Sequence, residues 1–451
     1  MYRSPVATMT DEQPSPPIAS LTPQPLAARA WEVLLIVMVF FILAGQPTPH
    51  VNEPHYLCRL KHYWDPAWCQ GDLFLDSPEA HLVFAWSFGW LTKWLSLPAL
   101  AWTGRLFVWS LLAWAWQRLS WRITPVPLAA VLSAALWVTF TRYAHLAGEW
   151  VVGGVEAKCV AYGFVLVALR EFIDNRWNRG WIALGAASAF RALVGGWSVL
   201  VCGGIWIGRQ LEDVERRQQI VATGLAMLPG LLVGGVIALA GVLPALALTW
   251  NEPPEIVAEA HRIYVFERLP HHLALLSLPA SEFGFRMASH TALIAGLFAA
   301  MWLHRRTVSS TIFGLRFVAW YAYGAMLLAV IGFAVELAFW NDPSRAASLL
   351  RFYWFRLTDV AVSLAAALYI AAIVAEALAA RRSWAPWALA AALAIACFGI
   401  GDALRDQAQN PVPPSDRRMR NYTAWLDVCE WIAANTPPDA GFLTPRPGKA
   451  V

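Results

Sequence analysis

Charge is what this sequence has least of. Only 14% of its 451 residues are Asp, Glu, Lys or Arg, and 58% are hydrophobic. Soluble domains carry about a quarter charged residues, so a water-soluble fold is excluded for the main body. The net charge is only +4 and no Lys/Arg-rich block occurs, which argues against nucleic-acid binding and against a polybasic patch. Six cysteines are scattered with no C-x-x-C pair. Cys58 and Cys69 share one segment and are read either as a disulfide or as two thiols. Walker, G-x-S-x-G, G-x-G-x-x-G and kinase-type signatures are absent, so any chemistry runs without a cytosolic nucleotide site. No internal repeat is evident, which weakens a secondary-transporter reading.

What remains is a chain of long apolar runs, and it reads as all-α: a polytopic transmembrane helical bundle. Spans are expected at 31–45, 100–117, 126–141, 159–172, 181–191, 196–208, 220–248, 291–304, 317–340, 358–380 and 384–400. That is roughly eleven passes if each run crosses. Residues 1–28 are rich in Pro, Ser and Thr and are expected to be a disordered cytoplasmic N-terminus. Residues 29–401 form the membrane core, with a first extracytoplasmic loop at 46–99. Residues 402–451 form a short extracytoplasmic tail with an amphipathic helix at 425–435. The run 31–45 is read as an uncleaved first span. The 26 Trp suit interfacial anchoring more often than sugar stacking.

Basic residues fall in alternating short gaps: Arg118 and Arg122; Arg170, Arg176 and Arg179; Arg209, Arg216 and Arg217; Arg305, Arg306 and Arg316; Arg381 and Arg382. All lie on one side, taken as cytoplasmic, if two conditions hold. Residues 81–97 must lie in the interface as a helix striped by Trp86, Trp90 and Trp94. The runs 181–191 and 196–208 must form a broken hairpin with Arg191 at its turn, opening on a cavity. The alternative to that hairpin is one tilted helix. Span 220–248, with Pro229 and Pro244, is expected to tilt or kink. A multi-pass protein of the bacterial inner membrane follows, with its C-terminus outside and membrane lipid as its first partner.

Unusual polar residues concentrate in the outward loops. In N-E-P-H-Y (52–56), Pro54 fixes the backbone beside Glu53. A carboxylate half out of water has a raised proton affinity and suits a general base, unless it is simply solvated. Asp72 and Asp76 either bind a divalent cation, cap a helix or are solvated. Lys158 meets either an anionic head group or Glu156. Arg268, His271 and His272 in R-L-P-H-H form a donor cluster suited to phosphate, or an interfacial helix. Arg351 and Arg356 flank aromatics as head-group donors or anchors. No zinc spacing occurs, so the metal ligands stay unknown.

This layout resembles the GT-C class of integral membrane glycosyltransferases, which includes protein mannosyltransferases and lipid A aminoarabinose transferases. N-E-P-H-Y stands where that class has an acidic D/E-E/x-P-x-Y motif, with Asn52 in the place of an acid. The interfacial segment 81–97, the broken pair around Arg191 and the tail W-I-A-A-N-T-P-P-D-A are similar as well. The chain is also similar to a bacterial branch of that class carrying E-A-K and R-x-P-H-H segments. The resemblance implies inverting transfer of a sugar from a polyprenyl-phosphate donor to an acceptor, be it lipid, glycan or protein, on the extracytoplasmic face. It implies Glu53 as base, with Asp72 and Asp76 as supporting acids. Lys158, Arg191, Arg268, His271, His272 and Arg351 would hold the donor phosphate. The rival expectation is a non-catalytic transporter or lipid-binding scaffold of the same architecture. A third is a relative that has lost catalysis.

Overall fold

The computed structural model describes residues 24–212, 214–307, 313–413, 422–437 and 440. The chain enters through α1 (Leu26–Ala44) and continues into the short polar α2 (Glu53–Trp64) and α3 (Leu82–Phe88). Three helices follow, α4 (Leu97–Ile123), α5 (Ala129–Tyr143) and α6 (Ala157–Ile173). Next come α7 (Trp177–Phe190), α8 (Ala192–Leu211), the small α9 (Val214–Gln218) and α10 (Ile220–Ala226), and α11 (Leu228–Ala247). A polar stretch holds α12 (Pro254–Arg262), a π-turn at Ile263–Arg268 and α13 (Pro270–Leu273). The rest is α14 (Ala280–Thr307), α15 (Phe313–Ala338), α16 (Pro343–Leu350), α17 (Arg356–Ala379), α18 (Ala385–Gln409) and α19 (Tyr422–Asn435).

The chain is therefore a multi-pass helical membrane protein, as its composition requires. Seven helices, α1, α8, α11, α14, α15, α17 and α18, are long and apolar enough to cross a bilayer. At 27 residues α4 has the length but carries Arg105, Arg118 and Arg122. With 15, 17 and 14 residues, α5, α6 and α7 fall short of the ~20 a bilayer needs. The central pillar is α17, 89% buried over its most apolar window, against 22% for α1 and 17% for α11, whose faces are left to lipid.

Side-chain contacts sort the helix ends into two groups. At one end Arg122 (α4) pairs with Asp174 after α6, and Arg316 (α15) lies 3.8 Å from Glu212 after α8. There too Arg209 (α8) lies over the rings of Trp177 (α7) and Phe313 (α15). This is the basic end. The other, the loop end, joins Gln46 to Asp406, Arg142 to Asp402, and Arg191 to His81. Because α7 starts and α8 finishes at the basic end, the two form a hairpin whose turn is Arg191, with extended φ −146° and ψ 98°. The tilted single helix is excluded.

Several expectations need correction. The Trp stripe at 81–97 is not one helix: α3 ends at Phe88 and Gly89–Lys93 is a 3-10 turn. Its seven-residue helix cannot cross a bilayer, while Trp86, Trp90 and Trp94 stay 49%, 40% and 71% exposed. The span 220–248, expected to tilt or kink, is interrupted at Met227, because Pro229 in the first turn of α11 has no N–H to continue α10. Cys58 and Cys69 are free thiols. The N-terminal disorder expected for 1–28 falls outside the described residues up to 23, and α1 already begins at Leu26.

Tight packing fixes the hairpin against α11. A Cβ on Gly234 would sit 2.4 Å from the Trp181 carbonyl oxygen, and one on Gly241 2.2 Å from that of Ala189. These two glycines, with Gly230, make a small-residue face that lets two backbones touch.

Candidate functional site

The loop end is where charge is buried. Glu53, the first residue of α2, is fully inaccessible, and so is its partner Arg105 in α4. Arg105 Nε donates to Oε1 at 2.7 Å and Nη2 to Oε2 at 2.6 Å. The His50 N–H donates to Oε2 at 2.6 Å and the Val155 N–H to Oε1 at 2.9 Å. Four donors leave no oxygen open. Gly154 makes room, since a Cβ there would lie 2.9 Å from Glu53 Cγ. Burial alone would raise the Glu53 carboxyl, but the Arg105 fork and the two backbone donors outweigh it and hold it below its usual range. The raised proton affinity expected of Glu53 is thus reversed. Its geometry is that of a strut joining α2, α4 and the 144–156 loop.

Beside the strut runs a chain of ion pairs. Asn52 donates its amide to Glu156 Oε1 at 2.8 Å. The Lys158 ammonium stands 3.6 Å from Glu156 Oε2, 3.7 Å from Glu149 Oε2 and 3.8 Å above the Trp150 ring. Arg356, at the start of α17, reaches Glu149 Oε2 at 3.1 Å. Two cations and two carboxylates balance. Yet Glu149 Oε2 and Arg356 Nε are buried without a hydrogen bond. Such atoms mark a place where a ligand or water completes the bonding.

Arg191 is the surplus. Among the described residues no carboxylate lies within 4.0 Å of it. Its Nη1 contacts His81 Nε2 at 2.7 Å, and it interacts with Tyr56, Tyr264, Tyr353 and Glu149. Burial, then the charges of Arg191 and Arg59, push His81 down to about 3, so it accepts this bond as neutral imidazole. Burial likewise raises the Tyr56 and Tyr264 hydroxyls. A lone cation ringed by neutral donors is suited to an anion.

Two empty spaces adjoin this cluster. A cavity of about 240 Å³ is lined by Gln46, His50, Arg142, His145, Glu149 and Trp150 among others. Glu149 and Trp150 belong to both the cavity and the ion-pair chain, and His145 Nδ1 is a further buried atom without a hydrogen bond. An apolar groove of about 350 Å³ runs between Phe88, Leu91, Phe107, Leu111, Phe164 and Phe190. Phe190, the last residue before the Arg191 turn, lines this groove, and Arg191 itself does not.

Of the expected residues, Lys158, Arg191 and His272 gather here, the last with Nδ1 against the Ala147 carbonyl and its ring feeling the Arg356 and Lys158 charges. The His271 ring lies 3.9 Å from that of His272 between centroids, tilted by 45°. Arg268 is exposed and interacts with His55 of α2. Arg351 pairs with His261 at 2.5 Å, away from the cluster. Asp72 accepts from the N–H groups of Phe74 and Leu75, and Asp76 from Gly71 and His62. Those two acids therefore fix their own loop. Among the described residues no three His, Cys, Asp or Glu side chains converge as a metal-binding group. Arg356, expected as a head-group donor or an anchor, and Glu149, which sequence reasoning did not single out, are members of the cluster. Asp359, which receives the N–H groups of Leu146, Ala147 and Glu149 and so shapes the 144–156 loop, escaped it.

A family described as Domain of unknown function (DUF6798) matches residues 423–451, the tail that includes α19. Neither a curated protein nor a solved structure matches the chain.

Proposed function

We propose that the chain is a membrane transferase of GT-C-like architecture that moves a sugar from a polyprenyl-phosphate donor to an acceptor hydroxyl. The observation that carries this reading is Arg191, a partly buried cation with no carboxylate within 4.0 Å among the described residues, at the turn that follows Phe190 of an apolar groove. A phosphate on a long apolar chain has matching chemistry at both ends. Arg191, with Arg356 and Lys158 close by, stabilises the charge that forms on the phosphate as the sugar–oxygen bond breaks. The acceptor hydroxyl enters the 240 Å³ cavity. Its proton passes to Glu149, which replaces Glu53 as base because Glu53 has no open oxygen. The sugar is inverted and polyprenyl phosphate departs. The alternating arginines support about eleven membrane segments, two of them the arms α7 and α8 of the hairpin, with the basic end cytoplasmic.

The test is transfer by the purified full chain supplied with polyprenyl-phosphate sugars. Release of polyprenyl phosphate by wild type is expected, with turnover lost in Glu149→Gln while donor binding persists. Arg191→Gln should weaken donor binding at least tenfold. Equal transfer by Glu149→Gln and wild type overturns the assignment of the base. The non-catalytic alternative is favoured by one observation, that Glu149 is already ion-paired to Arg356. Tight donor binding without release of product selects it.

A further inference from the structure

A second built space lies at the basic end, far from the site above in the fold. It is a cavity of about 560 Å³ enclosed by the start of α7, the end of α8 and the bridge α9–α10. Four arginines line it, Arg176, Arg179, Arg209 and Arg216, and no Asp or Glu does. The carboxylates around its rim have other duties. Glu171 and Asp174 lie 3.7 and 3.8 Å from Arg176 and are held more closely by Arg170, while Glu212 faces Arg316 at 3.8 Å. Among the described residues, no carboxylate lies within 4.0 Å of Arg179 or Arg209, and Glu212 acts on Arg209 only at longer range. Arg209 is pinned over two aromatic rings instead, 4.4 Å above Phe313 and 5.8 Å from Trp177. Its guanidinium edge is thus positioned in advance.

The setting supplies the second half of the argument. The bridge carries exposed Val221 and Leu225, both more than 60% accessible, and Trp206 lines the same cavity. Apolar side chains and Trp at the ends of spanning helices mark the membrane–water boundary. Guanidinium groups converging at that depth match a phosphate geometrically and by charge.

We propose that this cavity binds a phosphate-bearing anion at the membrane surface, with Arg179 and Arg209 as its principal donors. Two sources present that group, the head of an anionic phospholipid and soluble phosphate, and they are separated experimentally. The full chain is reconstituted in nanodiscs of phosphatidylcholine with or without phosphatidylglycerol. Retained lipid is counted by native mass spectrometry, and melting is followed with and without inorganic phosphate. Wild type is expected to retain phosphatidylglycerol, and Arg179→Gln with Arg209→Gln to retain at least fivefold less. Arg382→Gln, a change at an exposed arginine of the same end, should retain as much as wild type. Stabilisation by inorganic phosphate in phosphatidylcholine alone, lost in the double variant, assigns the site to the soluble anion. The single exposed change Arg179→Gln serves if the double variant does not fold. Equal losses in Arg382→Gln, or no loss and no melting shift in either arginine variant, overturn the proposal.

Discussion

At the scale of the residue, the Glu53–Arg105 pair carries the greatest stability consequence. Removing one member leaves the other charged and buried, a loss of about 3–5 kcal/mol. Glu53→Ala and Arg105→Ala should each lower the melting temperature sharply in detergent, and the double change should cost well below their sum. Additive losses would mean that the pair is not coupled. Much the same logic applies to His81. Unfolded, its imidazole takes a proton near 6.5; folded, it stays neutral until about 3. Below 6.5 the unfolded chain binds the extra proton, so stability present above that pH is lost progressively as pH falls toward 3. His272, also pushed down by burial, adds to the same limb. His81→Gln should flatten the acid side of a melting-versus-pH curve without abolishing it, and an unchanged curve would remove His81 from this account. These partnerships were hard to read from the chain. Arg105 lies 52 residues from Glu53 and inside an apolar run, and nothing local marks it as the partner. Pro54 and the position of Glu53 after the first helix were legible, but a polar residue beside a membrane looks alike whether it acts or merely braces.

Among the helices, legibility was much better, because lipid and protein core both select apolar side chains. The expected runs correspond to α1, α4 to α8, α10 with α11, α14, α15, α17 and α18. What periodicity missed was a local break, the 3-10 turn at Gly89–Lys93. Composition also hid which faces are buried. The glycines of α11 prove to be a contact face. Gly234→Leu would drive a side chain into the Trp181 carbonyl, where backbone cannot yield, at a cost of about 1–3 kcal/mol or more. The same change at Gly235, where a Cβ meets nothing within 4 Å, should be tolerated. Comparing the two by thermal melting separates packing from helix propensity, and equal losses would refute the contact face.

Viewed as a whole molecule, the chain divides its chemistry between two ends. The loop end gathers carboxylates, imidazoles and the cations Lys158, Arg191 and Arg356 in a buried cluster; the basic end carries a cavity lined by four arginines and no carboxylate. The arginine count anticipated this division, since it depends only on spacing, whereas the grouping of Lys158, Arg191 and Arg356 depends on how distant helices pack. Cysteines introduced at positions 87 and 382 should react with impermeant thiol reagents from opposite sides of sealed vesicles. Labelling of both from one side would undo the topology.

The hairpin of α7 and α8 enters and leaves at the same end, so it is topologically silent: excising it would leave every later loop where it stands. What it adds is depth. Fourteen residues of α7 raise Arg191 about 21 Å above the basic end. The glycine seam of α11 holds that depth fixed, because the backbones of α7 and α11 touch along it. The arginines of the basic-end cavity and Arg191 therefore stand at opposite ends of one helix pair.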